Sequence, residues 1–314
     1  MRADDREAVL DLLEHAFSVR ELFARYMDFD PAFSYADLLL AVDAGRPVSC
    51  VQIFAKPIRL RRERVLLGGI GSVATHAAAR GKGLASLLLR RAIEQMRARG
   101  MALSLLFASR FTFYEALGWQ QISTRLFKIA PDVRLCEAAD GTVERPFRAG
   151  DLPRVSALYD AYTEPLSGPT ARDARYWAGQ LRTAGTPEED FRVAERGGEI
   201  VAYARAAAFG GRVRVLEYAR GADGAEALAR LLAGHAPAAH RLPVPLVRDG
   251  ELGDALHALG LSISPGEDPS AMWRVLDRPT LLRIAGAPES TSDRALLETL
   301  VGGPLVTYWP SDRF

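Results

Sequence analysis

The sequence predicts an α/β protein whose two domains repeat one plan of strands and helices. Its 314 residues exceed what a single hydrophobic core usually organises, which favours two domains. Short runs rich in β-branched and apolar residues, bounded by glycine and proline, alternate with longer segments of helical periodicity. The order of these segments in the second half of the chain repeats the order in the first half. We therefore expect the halves to be diverged copies of one fold.

The first domain is predicted to span residues 1–130. Val9, Leu10 and Leu13 recur at helical spacing and predict an N-terminal helix. Further along, a strand, a glycine loop, a helix and an apolar strand follow one another, which is the order of a βαβ unit. The predicted elements are helices at 6–17, 35–42, 84–99 and 113–117, and strands at 48–54, 65–75, 102–107 and 121–129.

The second domain is predicted to span residues 141–276, after a polar linker that contains Pro131. Residues 277–314 are too few for a third domain and are predicted to form a C-terminal extension with one short helix at 292–301. The predicted elements of the second domain are strands at 143–147, 191–195, 200–208, 213–218, 243–247 and 272–276, and helices at 152–162, 171–182, 225–235 and 252–259.

The charge balance gives no reason to expect a polyanionic partner. Lysine and arginine number 40 against 39 aspartates and glutamates, so the chain has no global field that would attract nucleic acid or an anionic membrane. The first residues are too acidic and polar for a signal peptide, and no apolar run approaches the ~20 residues of a membrane helix. We therefore expect a cytoplasmic protein.

The cysteines and histidines are not spaced as metal ligands, and we predict no metal site. Cys50 and Cys136 lie far apart in the sequence and are predicted to be buried thiols in a reducing compartment. His76 lies between a predicted strand and the glycine loop. Because no carboxylate lies near it in sequence to orient it as a base, we expect it to have a positional role.

The strongest chemical signal is the glycine loop between the strand at 65–75 and the helix at 84–99. Glycines let backbone N–H groups approach phosphate oxygens, and the helix N-terminus adds unpaired N–H groups and the positive end of its dipole. The loop lacks the Gly-Lys-Ser/Thr end of a P-loop and the Gly-x-Gly-x-x-Gly fingerprint of dinucleotide-binding folds. The candidate pyrophosphate-binding residues are Arg80, Gly81, Lys82, Gly83, Leu84, Ala85 and Ser86.

The spacing Arg80-x-x-Gly83-x-Ala85 after a strand resembles the acyl-CoA loop of the Gcn5-related N-acetyltransferase (GNAT) superfamily. The later segment from Phe113 to Trp119 is similar to the Phe-Tyr-x-x-Leu-Gly-Phe element of the same superfamily. The resemblance implies tandem GNAT-like domains, each a mixed, mostly antiparallel twisted sheet flanked by helices. It also implies acetyl-CoA as cosubstrate, with main-chain contacts to its pantetheine arm from Val73 and Thr75.

Acetyl transfer requires attack of a neutral amine on a thioester and a proton for the leaving thiolate. Tyr114 is the candidate acid, because a phenol with a pKa near 10 matches the basicity of a forming thiolate. Its neighbour Glu115 is expected to face solvent, since adjacent residues of a helix do not share a face.

The plan of the whole chain resembles the enhanced-intracellular-survival (Eis) acetyltransferases, which combine an active first domain, a second copy without the loop and a final segment that ends on an aromatic residue. This resemblance implies that Tyr114 is the acid, that the C-terminal extension returns to the active site, and that the α-carboxylate of Phe314 helps accept the proton of the amine. The Eis group carries a full sterol-carrier-like third domain, whereas 38 residues follow Leu276 here. The departure leaves open whether the hexamer and the polyamine or aminoglycoside pocket of that group apply. It is also open whether a strand precedes the first helix upstream.

We therefore predict an acetyl-CoA-dependent N-acetyltransferase that acts on a small-molecule or peptide amine by direct attack in a ternary complex. The sequence specifies neither the acceptor nor an oligomeric state. One alternative is a mycothiol-synthase-like tandem acetyltransferase, which uses a loop in its C-terminal half; the segment 216–224 lacks that spacing. The other alternative is a non-catalytic acyl-CoA-binding regulator, against which the presence of Tyr114 argues.

Overall fold

The computed structural model describes residues 5–130, 141–184, 189–209, 212–235, 242–245, 247 and 249–314. The helices in this part of the chain are α1 (Arg6–Phe17), α2 (Arg20–Phe29), α3 (Leu84–Ala98), α4 (Phe111–Glu115), α5 (Leu152–Thr163), α6 (Ala174–Ala184), α7 (Ala225–His235), α8 (Gly250–Ala258), α9 (Arg278–Ala285) and α10 (Asp293–Val301). The strands are β1 (Leu38–Asp43), β2 (Arg46–Leu60), β3 (Glu63–Thr75), β4 (Leu103–Phe107), β5 (Gln120–Gln121), β6 (Thr124–Ile129), β7 (Val143–Pro146), β8 (Glu189–Arg196), β9 (Glu199–Phe209), β10 (Arg212–Arg220), β11 (Leu242–Pro245), β12 (Ile263–Asp268) and β13 (Ala271–Val275).

These strands form three sheets of mostly antiparallel pairs. The first sheet has the order β1-β2-β3-β4-β13-β5, the second β10-β9-β8-β7 and the third β11-β6-β12. The pairing of β3 with β4 is parallel, as expected for the strands that flank the crossover helix α3, and the other pairs are antiparallel. The fold class predicted from the sequence, a mixed and mostly antiparallel α/β architecture, is confirmed.

Two strands lie in sheets other than those expected from their order along the chain. β13, expected in the second half, pairs with β4 and β5 of the first sheet. β6, expected to complete the first half, pairs with β11 and β12. The apolar pattern of a strand specifies which face is buried but not which strands lie beside it. The two halves of the chain thus each contribute a strand to a sheet of the other half.

The N-terminal region departs from the prediction at residues 35–42. α1 begins and ends where its periodicity predicted, but from Leu38 onward the second predicted helix is replaced by the edge strand β1. Leu38 lies opposite Gln52 and Asp43 lies opposite Arg46 of the long strand β2. Pairing with this strand therefore outweighs the helix propensity of a Leu-rich segment. α2, which was not among the predicted helices, occupies the interval between α1 and β1.

The C-terminal segment packs against both halves of the chain. Leu281 of α9 and Leu300 of α10 share a buried core with Leu105 of β4, and Tyr308 belongs to the same core. The next residue, Trp309, is buried in the core of the second half. The C-terminal segment is thus held by burial in the cores of both halves of the chain. Among the helices of the described residues, none has both the length and the apolar character needed to cross a membrane.

A buried ionic cluster holds the chain just before its end. Glu217 and Asp312 both lie against the Arg172 guanidinium, at 2.7 and 2.9 Å, and Arg205 lies 3.4 Å from Glu217; all four side chains are fully buried. Ser311 donates a hydrogen bond to the Glu217 carboxylate. Burial by itself would raise the pKa of the Glu217 carboxyl, but Arg172 and Arg205 hold it at about 2. This carboxylate therefore remains charged inside the protein.

Replacing Glu217 by glutamine is expected to lower the free energy of unfolding by about 3–5 kcal/mol, because the buried side chains of Arg172 and Arg205 each lose a carboxylate partner. Urea unfolding measures the change. The exposed replacement Glu199→Gln is the matched control, because a solvent-exposed pair contributes at most about 1 kcal/mol.

The pH dependence tests the charge of Glu217. A carboxyl group whose pKa is lowered by folding stabilises the protein above its ordinary pKa of about 4.5, and this stabilisation is lost as the pH falls toward 2. The difference between wild type and Glu217→Gln should therefore narrow over that interval, and a constant difference would contradict the charge assignment.

Candidate active site

A cavity of about 810 Å³ opens where β3 and β4 separate. The two strands are paired at residues 67–69 and 103–105. Beyond this point β3 carries a bulge, since Gln52 pairs with Gly71 while Cys50 pairs with Ala74. Ser72, inside the bulge, has a φ of +52°, which is uncommon for a residue other than glycine. Residues 70–75 and 106–109 then line the cavity from the ends of the two strands.

The glycine loop forms one end of this cavity. Gly81 and Gly83 have φ angles of +78° and +74°, and a Cβ placed on either would meet no other atom within 4 Å. The first turn of α3 follows directly, so its N–H groups face this open space without helical partners. Such a cradle fits a pyrophosphate, whose oxygens would occupy the room left by the missing side chains.

Most of the residues predicted to bind the cofactor lie along the cavity. Arg80 is exposed, and its Nε donates a hydrogen bond to the carbonyl oxygen of Thr75. Lys82 is exposed and is not among the lining residues. The predicted residues that line the cavity are Val73, Thr75, Arg80, Gly81, Gly83, Leu84, Ala85 and Ser86.

Tyr114 lines the same cavity from the short helix α4. Its ring packs against Phe113 and Trp119, with centroid distances of 4.9 and 6.3 Å. Burial raises the pKa of the Tyr114 hydroxyl, an effect that Arg110 partly opposes. The hydroxyl is therefore protonated at neutral pH and can donate a proton. Glu115 is exposed, as predicted.

The last residue of the chain, Phe314, also lines the cavity. The centre of its ring lies 5.3 Å from the ring centre of Phe54 and 5.8 Å from that of Phe107. A Cβ on Gly69 would lie 2.5 Å from the Phe314 ring, and one on Gly71 would lie 3.2 Å from its carboxyl carbon. These two glycines of β3 therefore leave the room in which the terminal residue and its carboxylate lie.

Contacts on both sides of the terminal segment fix its position. Lys56 Nζ, which is buried, donates a hydrogen bond to the carbonyl oxygen of Asp312 at 2.9 Å. Arg313 pairs with Asp268 at 2.6 Å. Together with the ionic cluster around Arg172, these contacts hold the two residues that precede Phe314.

The remaining candidate groups have structural environments. His76 stacks on His15 and accepts a hydrogen bond from the backbone N–H of Ala78, in keeping with a positional role. Burial raises the pKa of the Cys50 thiol to about 12, so this thiol stays protonated. Cys136 lies outside the described residues. Within them, no cluster of three or more His, Cys, Asp or Glu side chains is arranged to hold a metal ion.

Sequence reasoning missed the contribution of α1 and α2 to the cavity. Phe17, Phe23 and Tyr26 line it, together with Ala16 and Leu22. Phe23 and Tyr26 are three residues apart, a spacing that places both on one face of a helix and could have indicated α2.

The junction between β10 and α7 in the second half is closely packed, and its arginine is already paired. Arg220 Nη2 lies 2.7 Å from Asp249 and 2.7 Å from Glu251, so its charge is already paired. A Cβ on Gly224 would lie 2.3 Å from the carbonyl oxygen of Val201. The backbone before α7 is therefore packed against β9, and a phosphate has no room there.

A family model described as an acetyltransferase (GNAT) domain matches residues 1–122. Residues 1–122 are therefore similar to a GNAT acetyltransferase domain. The match covers β3, the glycine loop, α3, β4 and Tyr114, which are the elements that build most of the cavity. No curated protein matches the sequence.

Solved structures extend the likeness in fold over most of the chain. A probable N-acyltransferase from Enterococcus faecalis V583 has 17% identity and a TM-score of 0.70, covering 90% of this chain and 73% of that chain. A GCN5-related N-acetyltransferase from Kribbella flavida has 22% identity and a TM-score of 0.67, covering 90% and 71%. Eis1 from Mycobacterium abscessus has 16% identity and a TM-score of 0.57, covering 85% and 73%. At these identities the likeness concerns the fold.

Proposed function

We propose that this protein is an acetyl-CoA-dependent N-acetyltransferase, which transfers the acetyl group to a primary amine in a ternary complex. One observation carries the proposal: the phosphate-fitting loop, the Tyr114 hydroxyl and the Phe314 carboxylate belong to residues that line a single cavity. The GNAT domain match supports the reaction class.

The binding role is assigned to the loop and to the ends of β3 and β4. We assign the pyrophosphate to the N–H groups at Gly81, Gly83 and the first turn of α3, with Arg80 as a charged donor. The pantetheine arm would lie between the separated strands, against the main chain at Val73 and Thr75. Bound acetyl-CoA would supply a thioester carbonyl that is open to nucleophilic attack.

The remaining groups serve the chemical step. The nitrogen of a neutral amine attacks the acetyl carbonyl carbon, so that a C–N bond forms while the C–S bond breaks. In this proposal the Phe314 carboxylate accepts the proton that the amine loses, directly or through water. Tyr114 donates its hydroxyl proton to the sulfur that leaves as a thiol.

Acetyl-CoA is expected to bind once per chain, and Gly83→Glu is expected to weaken its binding by about 10²-fold or more, because it places a carboxylate against the pyrophosphate. Isothermal calorimetry gives both numbers. Gly45→Glu is the matched control: Gly45 has a φ of +78°, close to the +74° of Gly83, and equally open surroundings, but it is not a cavity residue. A stoichiometry near two, or equal affinities for the two variants, would contradict the assignment.

Release of free CoA thiol in the presence of an amine panel tests the function itself. The panel contains alkylamines, arylalkylamines, polyamines, aminoglycosides and lysine peptides. We expect CoA release that depends on the amine and disappears in Gly83→Glu. Tight binding of acetyl-CoA without release for any amine would instead favour an acyl-CoA-binding regulator.

A further inference from the structure

A row of aromatic rings runs from the mouth of the cavity to the end of the chain. Phe17, 45% exposed, lies 5.3 Å from Phe23, which lies 6.4 Å from Tyr26. Tyr26 contacts the buried ring of Phe54 at 6.3 Å, and Phe54 in turn stacks on Phe314. Four members of this row line the cavity, and we call these four, Phe17, Phe23, Tyr26 and Phe314, the aromatic wall.

Most of the aromatic wall comes from helices that carry none of the residues assigned to acetyl-CoA. Three of its four members come from α1 and α2, whereas the phosphate-fitting loop joins β3 to α3. Every residue that α1 and α2 contribute to the cavity is apolar or aromatic. Burial raises the pKa of the Tyr26 hydroxyl to about 12, so this ring is uncharged at neutral pH as well. The surface left for the acceptor is therefore largely apolar.

The charges around the wall do not favour a polycation. In the described part of the chain, no aspartate or glutamate side chain lines the cavity, and its charged lining groups are Arg80, Arg110 and the terminal carboxylate. The nearby Asp28 pairs with Arg6 at 2.9 Å. Among the described residues that line the cavity, Phe314 thus supplies the one carboxylate for an incoming ammonium group.

Two contacts of Lys56 also argue against an acceptor with several ammonium groups. Asp30, at the end of α2, lies 3.6 Å from Lys56 Nζ and is nearly buried, so it is already compensated. Lys56 Nζ also lies 5.3 Å from the centre of the Phe314 ring. A second ammonium of the acceptor would therefore lose water against aromatic rings without a counter-charge.

Resting on the proposed function, we propose that the acceptor is a monoamine with an apolar alkyl or arylalkyl body. Its amine would meet the Phe314 carboxylate, while its apolar body would pack on the aromatic wall. The wall excludes water from that body, and its area, rather than additional ion pairs, would supply the selectivity.

The sharpest test compares butylamine with 1,4-diaminobutane, which differ by one ammonium group at equal chain length. Rates are compared per neutral amine group at one pH. We expect kcat/KM for butylamine to exceed that for 1,4-diaminobutane by tenfold or more, and 2-phenylethylamine to be better still. Equal or faster use of 1,4-diaminobutane or spermidine would overturn the proposal.

A binding measurement separates this inference from the proposed function. If none of these amines releases CoA, the proposed function fails, and calorimetry on the CoA-saturated protein still compares the two amines. Tighter binding of butylamine would support the monoamine site. Equal binding, tighter binding of 1,4-diaminobutane, or no binding of either would overturn it.

A negative charge placed on the wall should weaken the preference for butylamine. Phe17→Glu changes a side chain that is half exposed, and it is expected to reduce the ratio of butylamine to 1,4-diaminobutane kcat/KM at least fivefold. Val19→Glu is the matched control, because Val19 is equally exposed at 43% and does not line the cavity. An unchanged ratio in Phe17→Glu, or the same change in both variants, would contradict the placement of the acceptor on the wall.

Discussion

Replacing Tyr114 by phenylalanine is expected to lower kcat by about 10²-fold or more, the usual scale for loss of a positioned general acid. Only the hydroxyl is removed, and the ring keeps its contacts with Phe113 and Trp119. The affinity for acetyl-CoA should therefore remain within a factor of about three, since no binding role is assigned to the hydroxyl. Steady-state kinetics with the best amine, together with calorimetry, measures both quantities.

The pH profile distinguishes an acid from a packing residue. A general acid must be protonated, so activity that depends on it is lost as the pH rises through its pKa. Because burial raises the pKa of Tyr114 above the ordinary value of 10, this descending limb is expected above pH 10 in the wild type and is expected to be absent in Tyr114→Phe.

Tyr26→Phe serves as the comparator, because it removes a hydroxyl from the same cavity. We expect a smaller loss of kcat there, since Tyr26 is assigned to the acceptor wall. Nearly unchanged turnover in Tyr114→Phe would make that residue part of the packing only. Equal losses in the two variants would leave no reason to single out Tyr114.

The parts of the site that could be predicted from the sequence are local. The loop from Arg80 to Ser86 and the helix that carries Tyr114 depend on short segments, in which glycine spacing, strand pattern and helix start are all encoded nearby. A family resemblance could be read from those segments because neighbouring residues specify their geometry. The positions of most of the predicted cofactor residues along the cavity follow the same reasoning.

The rest depends on contacts between distant residues. In the sequence, Gly69 and Gly71 are two glycines within a predicted strand, and the residues next to them do not indicate that Phe314 occupies the space beside them. The cluster of Arg172, Glu217 and Asp312 joins residues up to 140 positions apart, so no local pattern encodes it.

Two elements that were not predicted, α9 and β12, differ in the local signals that their sequences carry. α9 begins with Asp277 as N-cap and Pro279 in the first turn, and it ends at Gly286 with a φ of +63°, which are ordinary start and stop signals. β12 contains Pro265 and Gly266, two poor strand formers, which its position at the edge of the third sheet tolerates.

Adding two glycines after Phe314 is expected to lower kcat/KM by on the order of 10²-fold with normal acetyl-CoA affinity, if the terminal carboxylate accepts the proton of the amine. The extension leaves every side chain intact and moves the carboxylate by about 7 Å. The Phe314 ring should stay in place, because it is stacked on Phe54 and lies against Gly69. A terminal carboxyl group ordinarily has a pKa of about 3.5 and is charged at neutral pH, so the wild-type group is ready to act as a base or to orient the amine.

Phe314→Ala separates the carboxylate from the ring, since it keeps the terminal charge and removes the aromatic contacts. If the charge acts in catalysis, the extended variant should lose mainly kcat, whereas Phe314→Ala should mainly raise KM for the amine, because the wall loses one of its four rings. Unfolding curves that match the wild type establish that neither change acts through stability. Unchanged kcat/KM in the extended variant would rule out a catalytic carboxylate and leave Phe314 as part of the acceptor wall. A loss that Phe314→Ala reproduces in full would assign the effect to the ring and not to the charge.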